Sequence, residues 1–271
     1  MNSSPKNSLL LCPVCETPLT WAGKECRCEN GHSFDSAKEG YLNLLLSHQR
    51  RSAHPGDDAQ MIQARRRFFD SGAYDPLHER IRSVVPDSVI LDCGCGEGTF
   101  LGALSGTRFG VDISKEAIRC AAKRYKDARW IVANGMRKLP FTDRSMDVIL
   151  SILAPRNPEE FARILKPDGS LILGVPGPNH LIELRSRLAA NAGDFEEKAD
   201  ESVVKCAPQF IEVSRELLSY EVTLNAGQIA DLIQMTPIFW CSSPEAKAEV
   251  QKLDQLTVTI SFVLIKLQNR T

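Results

Sequence analysis

Beyond Pro86 the chain alternates two rhythms. Short apolar runs recur at "SVILD" (88–92), "RFGVD" (108–112), "RWIVA" (129–133), "MDVILSIL" (146–153) and "SLILGV" (170–175). They are brief, rich in Val, Ile and Leu, and bounded by turn residues, which predicts strands. Between them the apolar positions fall at helical spacing, for example Lys115 to Tyr125 and Pro158 to Leu165. Strands that are apolar on both faces, alternating with helices, predict a parallel α/β sheet covered on both sides. Right-handed crossovers then make it doubly wound. The late run "LTVTISFVLIKL" (256–267) predicts a final strand. Residues near 176–205 form an insertion after the fifth strand, helical after Asn179. Upstream, a helical pattern runs from Asp57 through Phe69 and stops at Ser71-Gly72.

The first 36 residues break this pattern. From about residue 10 they are short, polar and punctuated by Pro, Gly and Asn, with little to bury. Such a segment needs a metal to fold, because burial alone cannot offset its ordering cost. The expected organisation is a metal-binding module over 1–36, a connector and helix over 37–75, and a main domain over 76–271. The connector carries one apolar stretch, "YLNLLL".

Composition narrows the function. The chain has 271 residues, 43% hydrophobic and 25% charged, with a formal net charge of −1. No apolar run approaches the roughly 18 to 20 residues of a membrane span. The leading "MNSSPKNSLL" lacks the charged start and long apolar core of a secretory signal. A cytoplasmic setting with reduced thiols is therefore expected. A near-neutral charge excludes indiscriminate nucleic-acid binding, so an RNA partner would need a local patch. His48 to Phe68 offers one, with Arg50, Arg51, Arg65, Arg66 and Arg67 against Asp57 and Asp58. The stretch Asp194 to Glu201 is biased the other way and reads as a solvated acidic surface.

"VILDCGCGEGTF" (89–100) carries the first chemistry. A strand ends at Asp92, glycines follow at 94, 96 and 98, and a helix begins. Absent Cβ atoms let a ligand approach the backbone. Asp112 ends the next strand, 20 residues after Asp92, where it can accept hydrogen bonds from ribose hydroxyls. A dinucleotide would fit this much. The turn, however, reads D-x-G-x-G-x-G, and Asp92 would repel a pyrophosphate while suiting an amino-acid portion. Asn134, after the third strand, would lie near an adenine. This layout is that of class I methyltransferases, with S-adenosylmethionine as cofactor. Asp92, Gly94, Gly96, Glu97, Asp112 and Asn134 are the candidate contacts. Cys93 and Cys95 read as packing residues.

Nine cysteines in a reducing setting need an account. Cys120, Cys206 and Cys241 are scattered and read as small hydrophobes. Cys12, Cys15, Cys26 and Cys28 cluster, and His32 follows them. Cys12 and Cys15 have the two-residue spacing of half a zinc site. For the other half, spacing favours Cys28 with His32, folded inward by Glu29-Asn30-Gly31, without excluding Cys26.

Taken together, "CPVC…CENGHSFDSAKEGYLNLL", "PGDDAQMIQARRRFFDSGAYDPL", "LDCGCGEG", "LAPRNPEE" and "PGPNHLIEL" resemble the RlmA (RrmA) family of 23S rRNA guanine-N1 methyltransferases. The resemblance runs over most of the chain. It implies a Rossmann-like methyltransferase sheet with an N-terminal zinc module, and zinc held by Cys12, Cys15, Cys28 and His32, with Cys26 spare. It implies two further cofactor contacts, Tyr74 and His180. The implied substrate is a guanine in hairpin 35 of 23S rRNA, and the implied assembly is a homodimer. Ala154-Pro155-Arg156-Asn157, after the fourth strand, would border the target base, with Arg156 available for charge growing on O6. The residues identify no general base. Two other readings remain: a small-molecule methyltransferase with a structural zinc, and a non-catalytic RNA-binding protein that retains the cofactor fold.

Overall fold

The computed structural model describes residues 9–22, 24–49, 56–188, 195, 197–236 and 242–270. Arg50, Arg51, Asp194, Glu196 and Cys241 lie outside the described residues. A small antiparallel sheet comes first: β1 (Thr20–Ala22), β2 (Glu25–Arg27) and β3 (Ser33–Asp35). The main sheet has eight strands. They are β4 (Leu42–Asn43), β5 (Ser88–Cys93), β6 (Gly106–Asp112), β7 (Arg129–Val132), β8 (Met146–Ile152), β9 (Leu165–Pro176), β10 (Phe210–Asn225) and β11 (Gln255–Asn269). Their spatial order is β10-β11-β9-β8-β5-β6-β7-β4. The block from β9 to β4 is parallel, and β11 enters antiparallel between β9 and β10. All five strands expected between Pro86 and Val175 are present, as is the last one. The sixteen-residue β10 was not anticipated. Its side chains are mostly exposed, and polar residues interrupt its apolar positions, so it lacks the continuous apolar run that marks the others.

Nine helices are described. They are α1 (Ala59–Asp70), α2 (Asp75–Val84), α3 (Thr99–Gly102), α4 (Lys115–Arg124), α5 (Pro158–Ile164), α6 (Ile182–Leu188), α7 (Lys198–Cys206), α8 (Ala226–Met235) and α9 (Pro244–Gln251). Asp58 starts α1 by accepting the N–H groups of Gln60 and Met61, both at 2.8 Å. Pro158 and Pro244 sit in the first turns of α5 and α9, where a missing N–H costs nothing.

Neighbouring residues on the central strands enter opposite cores. Ile90 joins a layer with α1, α2, α4, α6 and α8, while Leu91 joins a layer with α5 and the N-terminal module. Double coverage is why these strands are apolar at almost every position. The second layer has a particular composition. No helix is described between β7 and β8. There the module takes the helix's place: Leu10, Leu19 and Cys26 share a core with Phe109, Val111, Ile131 and Phe141. Leu10 bridges Phe141, and hydrogen bonds run from Leu11 N–H to Pro140 O and from Thr142 N–H to Leu9 O, each 3.0 Å. The connector also joins the sheet, since Leu42 and Asn43 pair with Ile131 and Val132. Among the described residues no helix is long and apolar enough to cross a membrane.

Trp130 sets the packing around the first turn. It is 2% exposed and donates its indole N–H to Tyr125 O at 2.8 Å. A Cβ on Gly98, whose φ is +83°, would overlap its ring. Gly98→Ala therefore combines overpacking with left-handed strain. It is expected to destabilise the fold by roughly 2 to 4 kcal/mol, read as a lower urea midpoint at unchanged m-value.

Candidate metal centre and cofactor cleft

Two tight turns build the metal centre. In the first, Cys12 N–H donates to Thr17 O and Glu16 N–H to Cys12 O, both at 2.8 Å. In the second, Cys28 N–H donates to His32 O and Gly31 N–H to Cys28 O, both at 3.1 Å. Gly31, at φ +83°, supplies the left-handed residue that closes it. The ligand atoms of Cys12, Cys15, Cys28 and His32 then lie within 4.8 Å of one another. Cys15 Sγ and Cys28 Sγ are 3.6 Å apart, and His32 Nδ1 is 3.3 Å from Cys28 Sγ and 3.6 Å from Cys12 Sγ. Tetrahedral zinc with thiolate bonds of about 2.3 Å has S–S edges of about 3.7 Å, so the donor set fits the ion. The hydrogen bond with Thr17 takes Cys15 down to about 5, which favours the thiolate a metal requires.

Cys26 stands outside this group. It is fully buried on β2, in the core shared with the main sheet, and burial pushes its thiol up to about 12. The extended geometry that would aim Cys26 and Cys28 the same way ends at Arg27, where β2 stops. Cys93 and Cys95 are likewise buried, with burial raising both thiols. Cys206 is buried and Cys120 half-buried.

The cofactor cleft forms where β5, β6 and β7 end. Asp112 accepts the N–H of Gly96 on one carboxylate oxygen at 2.9 Å and that of Ser114 on the other at 2.8 Å. Each oxygen keeps a second lone pair for a ribose hydroxyl. Asn134 lies beside it, since Ala133 N–H donates to Asp112 O at 3.0 Å. Its side chain accepts from Met136 N–H and donates to Gln49 O.

The three glycines differ. A Cβ on Gly94 would overlap the Ala154 methyl, so that residue lets the loop after β8 close on the turn. At Gly96 a Cβ would meet just Arg65 Nη1, at 3.6 Å, which leaves its face open to a ligand. Asp92 is 1% exposed and its Oδ2 has no hydrogen-bond partner. Burial, reinforced by Asp112 and Glu97, pushes Asp92 up to about 8. Glu97 is 4% exposed; Thr99 donates to one oxygen at 2.9 Å and the other has no hydrogen bond. Two carboxylate oxygens without a hydrogen bond, beside an open glycine, suit a ligand that brings an ammonium and a sulfonium. S-adenosylmethionine fits on that ground.

Tyr74 and His180 meet across one ring. Phe262 of β11 packs 5.5 Å from Tyr74 and 4.7 Å from His180, centroid to centroid. Tyr74 is 2% exposed, with Phe68 and Phe69 each at 5.3 Å. His180 Nδ1 accepts the N–H of Ser261 at 3.1 Å, which puts the ring proton on Nε2. Burial, then Arg185, takes His180 down to about 4, so it is neutral at physiological pH. Phe262 escaped sequence reading because it sits in a strand 82 residues beyond His180.

Three arginines of the patch inferred from composition have acidic partners in the fold. Arg67 makes a two-nitrogen contact to Asp231 on α8, at 2.5 to 3.1 Å. Arg66 is 3.8 Å from Asp70, one turn on. Arg65 pairs with Asp57 at 2.6 Å and stands 4.0 Å from Glu97. Asp70 and Asp231 lie outside the window in which the charges were counted. A signal for Arg65 did exist: with Ile62 and Phe69 it falls at i, i+3, i+7 on the buried face of α1. Arg156 gives its Nη1 to Ser202 Oγ at 2.8 Å, which ties the loop after β8 to α7.

Comparison with known proteins agrees with this geometry. Residues 10–53 match a zinc-ribbon family model described as "RlmA, N-terminal", and residues 91–173 match a model of a methyltransferase domain. YxjB of Bacillus subtilis (strain 168), named provisionally as a 23S rRNA (guanine-N(1)-)-methyltransferase, is 35% identical over 95% of this chain and 96% of its own. The 23S rRNA (guanine(748)-N(1))-methyltransferase of Streptomyces fradiae is 32% identical over the same shares. A structure solved for work on the conversion of a disulfide bond into a thioacetal group during echinomycin biosynthesis aligns with a TM-score of 0.50 at 16% identity, covering 73% of this chain and 81% of that one. That likeness concerns the fold alone.

The metal centre generates a direct test. Purified protein is expected to carry one zinc per chain. Cys28→Ala should lose it and Cys26→Ala should keep it, measured by metal release to a chromogenic chelator.

Proposed function

The chain belongs to the RlmA family of 23S rRNA (guanine-N1)-methyltransferases, and from that premise we propose that it methylates N1 of a guanine in hairpin 35 of 23S rRNA. One observation carries the reading: the Cys3His cluster and the glycine turn are parts of one body, joined through the core of Leu10, Cys26 and Phe141. We divide the chain into the zinc module at 1–36, the connector and helix at 37–75, and the methyltransferase domain at 76–271 with its insertion near 176–205. Methylation of ribosomal RNA supports a cytoplasmic setting, and the resemblance supports a homodimer.

S-adenosylmethionine supplies a methyl group already activated on a sulfonium. The chain's own residues then have three tasks. The first is to hold the donor. Asp112 would take the ribose hydroxyls, Asn134 would lie at the adenine, and Asp92 with Glu97 would receive the ammonium beside the bare backbone of Gly94 and Gly96. Tyr74 and His180 close the pocket from the β11 side, and a neutral His180 adds no charge against the sulfonium. The second task is to expose the base. N1 of guanine lies on the pairing edge, so the nucleotide must be unpaired or flipped out. The zinc module, replacing a helix on the sheet's face, is suited to grip the surrounding RNA.

The third task is proton loss. N1 carries a proton at neutral pH and must pass it to solvent water as it attacks. Charge then grows on O6. The loop Leu153–Asn157 borders the transferred methyl, because it closes on Gly94 through Ala154. Arg156, anchored by Ser202, is a positioned cation for that charge. In-line alignment of base and methyl supplies the rest of the acceleration.

Tritiated S-adenosylmethionine incubated with unmodified 23S rRNA tests the reading. Label should enter the rRNA, and primer extension should arrest at one guanine of the hairpin, since a methyl on N1 blocks pairing. Label confined to a metabolite extract, or absent from both, would overturn it.

Asp92 supports a second expectation. Before the donor binds it is protonated below about pH 8, and an arriving ammonium favours the carboxylate. Binding of S-adenosylhomocysteine at pH 7 should therefore release a proton, and affinity should rise as pH climbs from 6 towards 8. Calorimetry in buffers of different ionisation enthalpy reads this directly, and Asp92→Asn should remove the proton release.

A further inference from the structure

We propose that Arg65 binds the carboxylate of the cofactor's amino-acid portion, so that α1, outside the sheet, supplies the anion-recognising group of the cleft. The inference rests on the reading of the turn as an S-adenosylmethionine site.

Asp57, Asp92, Glu97 and Asp112 converge on the turn; burial raises the carboxyls of Glu97 and Asp112, and the Arg65 guanidinium opposes that rise in both. These carboxylates suit the cofactor's ammonium, sulfonium and ribose. They repel the carboxylate that the same ligand carries on the carbon bearing the ammonium. A carboxylate held among four acids requires a cation within reach.

Arg65 is that cation by position. Its Nη1 stands 3.6 Å from the point a Gly96 Cβ would occupy, so it borders the space the missing side chain leaves open. Arg124, which also acts on Glu97, is held by Asp70 at 2.7 Å. Arg65 sits on the buried face of α1, with its side chain 22% exposed. Both of its ion pairs run through Nη1. A guanidinium has five donors in a fixed fork, so pairing with Asp57 does not exhaust it.

Its aim is preset from below. Asp57, which takes Arg65 at 2.6 Å, is itself held: its backbone oxygen accepts the Ser114 hydroxyl at 3.1 Å. Ser114 in turn donates its N–H to Asp112. One chain of contacts thus runs from the ribose carboxylate through Ser114 and Asp57 to Arg65. The two ends of the cofactor would be read by groups that position each other.

The test compares two ligands that differ by one group: S-adenosylhomocysteine and its decarboxylated form. Calorimetry is run on the full chain as wild type, Arg65→Gln and Arg65→Lys. Wild type should prefer the carboxylate-bearing ligand by about 10- to 100-fold, the span of a charge-assisted contact. Arg65→Gln should bring the two ligands within about twofold by weakening the first and sparing the second. Arg65→Lys, which keeps the charge and loses the fork, should fall between. Equal wild-type binding of both ligands overturns the proposal without needing any variant to fold. So does an Arg65→Gln protein that keeps the wild-type preference. Failure of wild type to bind either ligand is a different result: it removes the cofactor reading itself, and this inference with it.

Discussion

The cleft depends on one carboxylate. Asp112 ends β6 and ties down both of its neighbours, the glycine turn through Gly96 N–H and the start of α4 through Ser114 N–H. A turn containing three left-handed glycines has little conformational preference of its own. The strand beside it supplies the constraint. The residue expected to hold the ribose therefore also shapes the loop that admits the rest of the ligand. Cofactor recognition by Asp112 would thus be coupled to backbone geometry at one side chain.

A second dependence links metal to sheet. The face of β6 and β7 bearing Phe109, Val111 and Ile131 has no helix from the β7–β8 connection to cover it. The N-terminal module does so instead, although its strands are three residues long. Such strands cannot hold a shape by burial alone, and a bound zinc would fix the two turns that present Leu10, Leu19 and Cys26 to the sheet. Cys26 belongs to this contact rather than to the metal, which accounts for a fifth candidate ligand in a four-ligand site.

The arginine-rich helix carries a related lesson. Five arginines against two aspartates look like a patch for a polyanion. In the fold, Arg67 is bound to Asp231, Arg66 neighbours Asp70, and Arg65 turns into the cleft with Asp57. Charge counted along a chain overstates charge presented to solvent whenever acids arrive from elsewhere. Arg65 thereby faces Glu97 and the Gly96 backbone.

What the sequence by itself determined is local in origin. The parallel strands, the α4 and α5 helices, the glycine turn and the pair Cys12–Cys15 all follow from short-range periodicity or from spacings of a few residues, which also favour Cys28 with His32 without excluding Cys26. Asp92 and Asp112 were legible because consecutive parallel strands end on the same edge of a sheet. The tertiary structure alone decided the remainder. The solvated strand β10 has no continuous apolar run; its apolar positions only alternate, at Leu218, Tyr220, Val222 and Leu224. Phe262 between Tyr74 and His180, Asp231 on Arg67, and the module standing in for a helix all join residues distant along the chain. Their contacts arise from which faces the sheet leaves uncovered, a property of the assembled layers that no local pattern encodes.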